Sequence, residues 1–178
     1  TFVEERPKPA EKVKGTGLAV EAGEGGEKVP VTVEDAVAFL CRFQGGTFGV
    51  FESSRMCAGR KNQNAFEING SKGSIRFDFE HMNRLDYFSR DDPGCAQGFR
   101  SILCTEPTHE YAEAWWPPGH IIGYGESFVN EAYELCSAFA EDRNPTPDFE
   151  DGTRCQAVLD TVCRSAETHR WEQVPRIE

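Results

Sequence analysis

No run of apolar residues in this chain approaches the ~20 that a membrane-spanning helix needs. Its opening, TFVEERPKPAEKVKG, has neither the apolar core nor the cleavage pattern of a secretory signal. Both absences lead us to expect a cytoplasmic protein. Basic charge is also scarce. Against 30 Asp and Glu there are only 19 Lys and Arg, a net charge of −11. Such a surface repels phosphate backbones and anionic lipid, so neither nucleic acid nor a membrane is expected as partner. No two of the seven cysteines (41, 57, 95, 104, 136, 155, 163) stand at CxxC spacing, which argues against a disulfide framework and a zinc ribbon and leaves reduced thiols. The four histidines, His81, His109, His120 and His169, share no HxxxH spacing and no Cys/His pairing, so no metal site is expected. Nor is there a phosphate-cradling glycine loop. Gly15-x-Gly17 lacks the third glycine, position 20 being Val20, and neither an apolar strand before it nor an amphipathic helix after it completes the pattern.

What is present is the composition of an ordinary folded protein, 38% hydrophobic and 28% charged over 178 residues, enough for one domain spanning 1–178. Thr1 to Glu5 reads as a strand already under way, so the chain is expected to begin in mid-protein. Residues 7 to 30, rich in Pro, Gly, Lys and Glu, read as a surface excursion. From Val31 to Phe43 two interleaved apolar sets predict a strand partly buried on both faces. Gly45-Gly46 turns the chain and Thr47 to Arg55 returns it. The organising stretch is Ala65 to Phe79, AFEINGSKGSIRFDF. Phe66 and Ile68, then Ile75, Phe77 and Phe79, alternate with polar residues around Asn69-Gly70-Ser71-Lys72-Gly73, predicting a hairpin whose glycines take positive φ at the turn. Leu85–Ser89 and Phe99–Cys104 extend it as an antiparallel meander.

After Gly125 the period becomes helical. Phe128, Ala132, Leu135, Cys136 and Phe139 form one stripe, ended before Pro145 and Pro147. Cys155, Val158, Leu159, Val162, Cys163 and Ala166 form a second, with Asp148, Glu150 and Asp151 near its N-terminus. The expected fold is α+β: a large, mostly antiparallel open sheet with helices packed on one face and the other face left for a partner. The cysteines on these stripes, and Cys41 on its strand, are expected to be buried and inert.

Two clusters carry candidate chemistry. RMCAGRKNQ, residues 55–63, places Arg60, Lys61 and Asn62 among donors able to bind hydroxyls or phosphate where a strand ends. WWPPGHIIGY, residues 115–124, frames His120 with aromatics, prolines and glycines. A sugar's C–H face packs on aromatic rings while its hydroxyls need polar partners, so this is the composition of a carbohydrate or polyol site. Each has a plainer alternative, a solvated loop for the first and a satisfied structural histidine for the second.

At these residues the chain resembles the C-terminal domain of the glucose-fructose oxidoreductase and inositol dehydrogenase family, Gfo/Idh/MocA. The resemblance is carried by FQGGTFGVFESSR (43–55), GRKNQNAFEINGSKGSIRFDFEHMN (59–83), WWPPGHIIGYGESFVNE (115–131) and PDFEDGTRCQAVLDTVCRSAETHRWEQV (147–174), a little under half of the chain in the family's order. It implies a two-domain enzyme. An N-terminal domain, absent here, binds NAD or NADP; the second domain supplies substrate contacts and an oligomer interface. The implied reaction is hydride transfer from a secondary alcohol carbon to the nicotinamide, with a lysine of the missing half as acid/base. The family's glycine-rich motif, its catalytic lysine in an EKP-like motif, and its Asp and His have no counterpart in this chain. No catalytic residue is therefore assigned here and the fragment alone is expected to be inactive. Arg60, Lys61, Asn62 and His120 match segments usually close to the active-site cleft and are the substrate-binding candidates. The expected partners are a small neutral carbohydrate or polyol and a second copy of the protein, joined through the open sheet face. The rival reading is a free-standing interaction module that binds a protein partner through that face.

Overall fold

Fifteen short elements account for the chain's order, and the computed structural model describes them over residues 2–8, 14–16, 19–21 and 26–177. The chain divides into two units, Thr1–Arg60 and Lys61–Glu178.

In the first unit β1 (Glu5–Pro7) pairs antiparallel with β4 (Lys28–Pro30), and β2 (Lys14–Thr16) with β3 (Ala19–Glu21). The opening strand thus sits a few residues later than expected, and short strands occur within the stretch that reads as a surface excursion. Thr1 itself lies outside the described residues. The larger hairpin joins β5 (Ala36–Arg42) to β6 (Phe48–Ser54), with Phe39 opposite Phe51 and Leu40 opposite Val50. Gly45 and Gly46 at its tip have φ of 95° and 91°, the left-handed conformation glycine adopts without a Cβ penalty. Phe39 and Phe51 stack at 4.9 Å. The strand is not half-buried on both faces as its sequence predicts. Val37, Phe39 and Cys41 are half-buried while Ala38, Leu40 and Arg42 are exposed, so the strand is covered on one face and open on the other. Asp35, 3% exposed, ties the N-terminal segment down by accepting the Phe2 and Val3 N–H groups at 2.8–2.9 Å. The Phe2 N–H bond is the main reason its carboxyl is held below the usual carboxylate range.

The second unit is built on a four-stranded meander in the order β10-β9-β8-β7, with β7 Ala65–Asn69, β8 Gly73–Asp78, β9 Arg84–Ser89 and β10 Arg100–Leu103. Phe66 faces Phe77 and Ile68 faces Ile75 as the alternation predicts, and Arg76 pairs with Asp86 across β8 and β9 at 2.6 Å on the polar face. Gly70 and Gly73 both depart from expectation, since neither has a positive φ. At Gly73 a Cβ would lie 2.3 Å from the Phe88 carbonyl oxygen, so this glycine permits close approach of β8 to β9. Every described strand pair is antiparallel, in four separate sheets of which this meander is the largest.

Two helices follow, α1 (Tyr124–Ala140) and α2 (Phe149–Thr168). Glu126 accepts the Gly123 N–H at 2.9 Å at the start of α1. Asp148 caps α2 by accepting from the Glu150 and Asp151 N–H groups at 2.8 and 3.1 Å, while Asp151 accepts from the Asp148 N–H at 3.1 Å. The fold is α+β, as expected. Its core is thin: among the described residues no large side chain is fully buried, and the helices bury Ala138, Ala157 and Thr161. Much of the apolar stripes remains open, including Phe128, Leu135, Phe139 and Leu159. Cys136, Cys155 and Cys163, expected inside on those stripes, are exposed for the same reason.

Candidate functional site

A meander brings alternate strand ends together. The start of β7, the β8–β9 connection and the end of β10 all lie at one edge of the four-stranded sheet. Lys61 and Asn62, just before β7, and the loop carrying His120 both attach to the short β8–β9 connection, Phe79–Asn83. Glu80 in that connection accepts the backbone N–H of Lys61 at 2.7 Å and of Asn62 at 3.3 Å. Asn83 grips the loop beyond His120 with its whole carboxamide: Nδ2 donates to the Ile122 carbonyl at 2.7 Å and Oδ1 accepts the Ile122 N–H at 3.0 Å. Candidates almost sixty positions apart are thus held by one connection. Arg60 is the last residue of the first unit, and its N–H donates to the Cys57 carbonyl at 2.9 Å.

Pro117–His120 is a type II turn written in the sequence. Pro118 supplies a fixed φ, Gly119 takes φ 89°, and the His120 N–H returns to the Pro117 carbonyl at 3.2 Å. That carbonyl also lies 2.8 Å from His120 Nδ1. A carbonyl only accepts, so Nδ1 carries the proton and the lone pair of the neutral ring is on Nε2. His120 is exposed, and its ring is ready to accept a hydrogen bond from a hydroxyl. The turn is pinned from behind by Thr105, 6% exposed, whose Oγ1 accepts the Gly119 N–H at 3.0 Å. Trp115 Nε1 donates to Asn130 at 3.0 Å, which orients that ring, while Trp116 is 61% exposed. The cleft lined by Asn83, Thr105, Trp115, Trp116, His120 and Ile122 has a volume of about 30 Å³. That is water-sized. A sugar would have to rest on its rim, against His120 and Trp116.

Two larger grooves run beside α1. One, of about 650 Å³, includes His109, Trp115 and Tyr133; the other, of about 1070 Å³, includes Glu134, Phe139 and Phe149; Tyr111 and Asn130 line both. Between them Tyr111 Oη donates to Glu134 at 3.0 Å, and this bond is the chief cause of the raised tyrosine pKa. No group of three His, Cys, Asp or Glu placed to hold a metal occurs among the described residues.

Comparison with known proteins places this geometry. Residues 7–76 match the GFO/IDH/MocA C-terminal domain. Over 178 residues the chain is 38% identical to levoglucosan dehydrogenase of Pseudarthrobacter phenanthrenivorans, covering 99% of this chain and 45% of that protein. The resemblance to the Gfo/Idh/MocA C-terminal domain read from the sequence is thus found again in the match over residues 7–76. The crystal structure of an oxidoreductase domain protein from Kribbella flavida superposes with a TM-score of 0.86 at 45% identity, over 99% of this chain and 42% of that one. Levoglucosan dehydrogenase in complex with NADH and levoglucosan superposes with a TM-score of 0.81 at 38% identity, over 84% and 41%. The chain spans less than half the length of these relatives.

The NADH bound by levoglucosan dehydrogenase does not fit the described residues of this chain. Every described strand pair is antiparallel, both α-helices follow the last described strand, and Gly15 lies inside β2, so among the described residues no strand–turn–helix unit cradles a pyrophosphate. Sequence reasoning singled out His120 and its loop but not the side chains that hold that loop, Asn83 and Thr105, nor Glu80 beside them. A usable signal existed. A rigid Pro-Pro-Gly-His turn leaves inward N–H groups to be satisfied, and the meander places an Asn and a Thr at the same sheet end.

Proposed function

We propose that this chain is the substrate-binding and oligomerisation half of an NAD(P)-dependent sugar or polyol dehydrogenase, a single domain that is inactive without the dinucleotide-binding half. The reading rests chiefly on the likeness of nearly the whole chain to levoglucosan dehydrogenase, a protein solved with NADH and levoglucosan. The exposed imidazole and indole at the sheet end agree with it. In this reading His120 Nε2 accepts a hydrogen bond from a substrate hydroxyl, and the face of Trp116 packs against the sugar's C–H groups. Lys61 and Asn62 donate to further hydroxyls from the neighbouring loop, and Arg60 extends that set along the chain. The nicotinamide, when bound by the remainder of the protein, supplies the hydride acceptor.

The test is NAD(P)H formation by the full-length protein, followed at 340 nm against levoglucosan, monosaccharides, cyclic polyols and simple secondary alcohols. Turnover confined to sugars or polyols, with NAD or NADP, is expected. Reduction of the nicotinamide by none of them, or by simple alcohols alone, would overturn the assignment.

A further inference from the structure

The Asn83 carboxamide meets the backbone of Ile122 as one strand meets another, donating to its carbonyl at 2.7 Å and accepting its N–H at 3.0 Å. The N–H donor and carbonyl acceptor of this one residue fix which end of the amide is which. Asn83 is itself anchored, because its backbone carbonyl accepts the Cys104 N–H at 2.8 Å just beyond β10. Thr105, the next residue, takes the Gly119 N–H at 3.0 Å. His120 therefore stands in a stretch of four residues, 119–122, gripped at both ends by groups rooted in the sheet. Between these grips the Pro117 carbonyl takes both the His120 N–H and the ring Nδ1–H.

We propose that Asn83 is a positioning residue. Resting on the reading of His120 as a substrate contact, it holds the imidazole as the Nδ1–H tautomer with the Nε2 lone pair facing the substrate. Free neutral imidazole side chains favour the other tautomer, with the proton on Nε2, which would present a donor where an acceptor is wanted. The turn geometry that brings Pro117 O to Nδ1 sets the choice, and Asn83 keeps the turn closed. Its chemistry is specific. Aspartate of nearly the same size offers only acceptors, loses the bond to the Ile122 carbonyl, and faces that oxygen with like partial charge. Alanine loses both bonds.

The experiment uses the full-length enzyme with isotope-labelled histidine. Long-range ¹H–¹⁵N correlations at about pH 9, where imidazole is neutral, report the His120 tautomer, assigned by the signal that vanishes in His120→Ala. The wild-type ring is expected as Nδ1–H, with both Asn83→Ala and Asn83→Asp shifting it toward Nε2–H. With levoglucosan as probe substrate, Asn83→Ala is expected to lower kcat/KM by roughly tenfold or more, yet to change it less than about twofold in a His120→Ala background. A tautomer unmoved by either Asn83 variant, or losses that simply multiply in the double variant, would overturn the positioning role while leaving His120 as a substrate contact. A tautomer that moves while His120→Ala leaves kcat/KM unchanged would instead overturn the substrate contact, and the proposal with it.

Discussion

Single residues show both how far the sequence reaches and where it stops. The glycines at 45, 46, 70 and 73 all read as turn glycines, but they do different work. Gly45 and Gly46 adopt positive φ with open space around them, so only backbone strain constrains them. Gly73 has no such φ; its missing Cβ makes room for the Phe88 backbone. A contact of 2.3 Å to a backbone oxygen cannot be relieved by rotating a side chain. Gly73→Ala is therefore expected to destabilise the protein by about 1–3 kcal/mol, the usual range of overpacking. Equilibrium urea unfolding of the full-length protein checks it, and a loss under about 0.5 kcal/mol would show that β8 and β9 separate freely. Alternation located this hairpin and its register; it carried no information on which strand would later lie against Gly73. Asn83 is hidden for the same reason, since its partner lies thirty-nine positions away and outside any repeat.

Whole elements were more legible than the contacts between them. Helical spacing and the prolines at 145 and 147 locate α1 and α2 well, because the signals that start and stop a helix are local. The acidic residues expected at the head of α2 act more specifically than general dipole complementarity. Asp148 takes two backbone N–H groups and Asp151 returns one bond. Asp148→Ala should then cost about 1 kcal/mol, whereas Asp148→Asn, which keeps an accepting oxygen, should cost a few tenths. Comparing their denaturation midpoints decides between capping and simple charge, because loss of charge alone would make the two equal. The second face expected for β5 was misread. Two interleaved apolar sets predict cover on both sides, whereas Ala38, Leu40 and Arg42 on one side of β5 are exposed.

At the scale of the whole molecule, the apolar surface left open is the main fact. Phe66 and Ile68 on β7, exposed by 46% and 58%, share one sheet face, and Phe128 and Phe139 stand open on α1. Burying each such side chain is worth about 1.5–3 kcal/mol, so a handful offset the ~4–15 kcal/mol entropic cost of association. We expect the full-length protein to form a homo-oligomer through the sheet face bearing Ile68. Sedimentation velocity should show this, and Ile68→Glu should shift it to a smaller species. A wild-type monomer at all micromolar concentrations would remove the interface. The substrate role of the sheet end is tested most directly by one variant, His120→Ala in the full-length enzyme, with kcat/KM and Tm measured on the same preparation. If His120 contacts substrate, kcat/KM should fall by roughly ten- to a few hundred-fold while Tm moves by no more than about 2 °C. Unchanged kinetics with a clearly lowered Tm would make His120 a structural residue of the Pro-Pro-Gly-His turn and contradict the placement of the substrate at this end of the sheet.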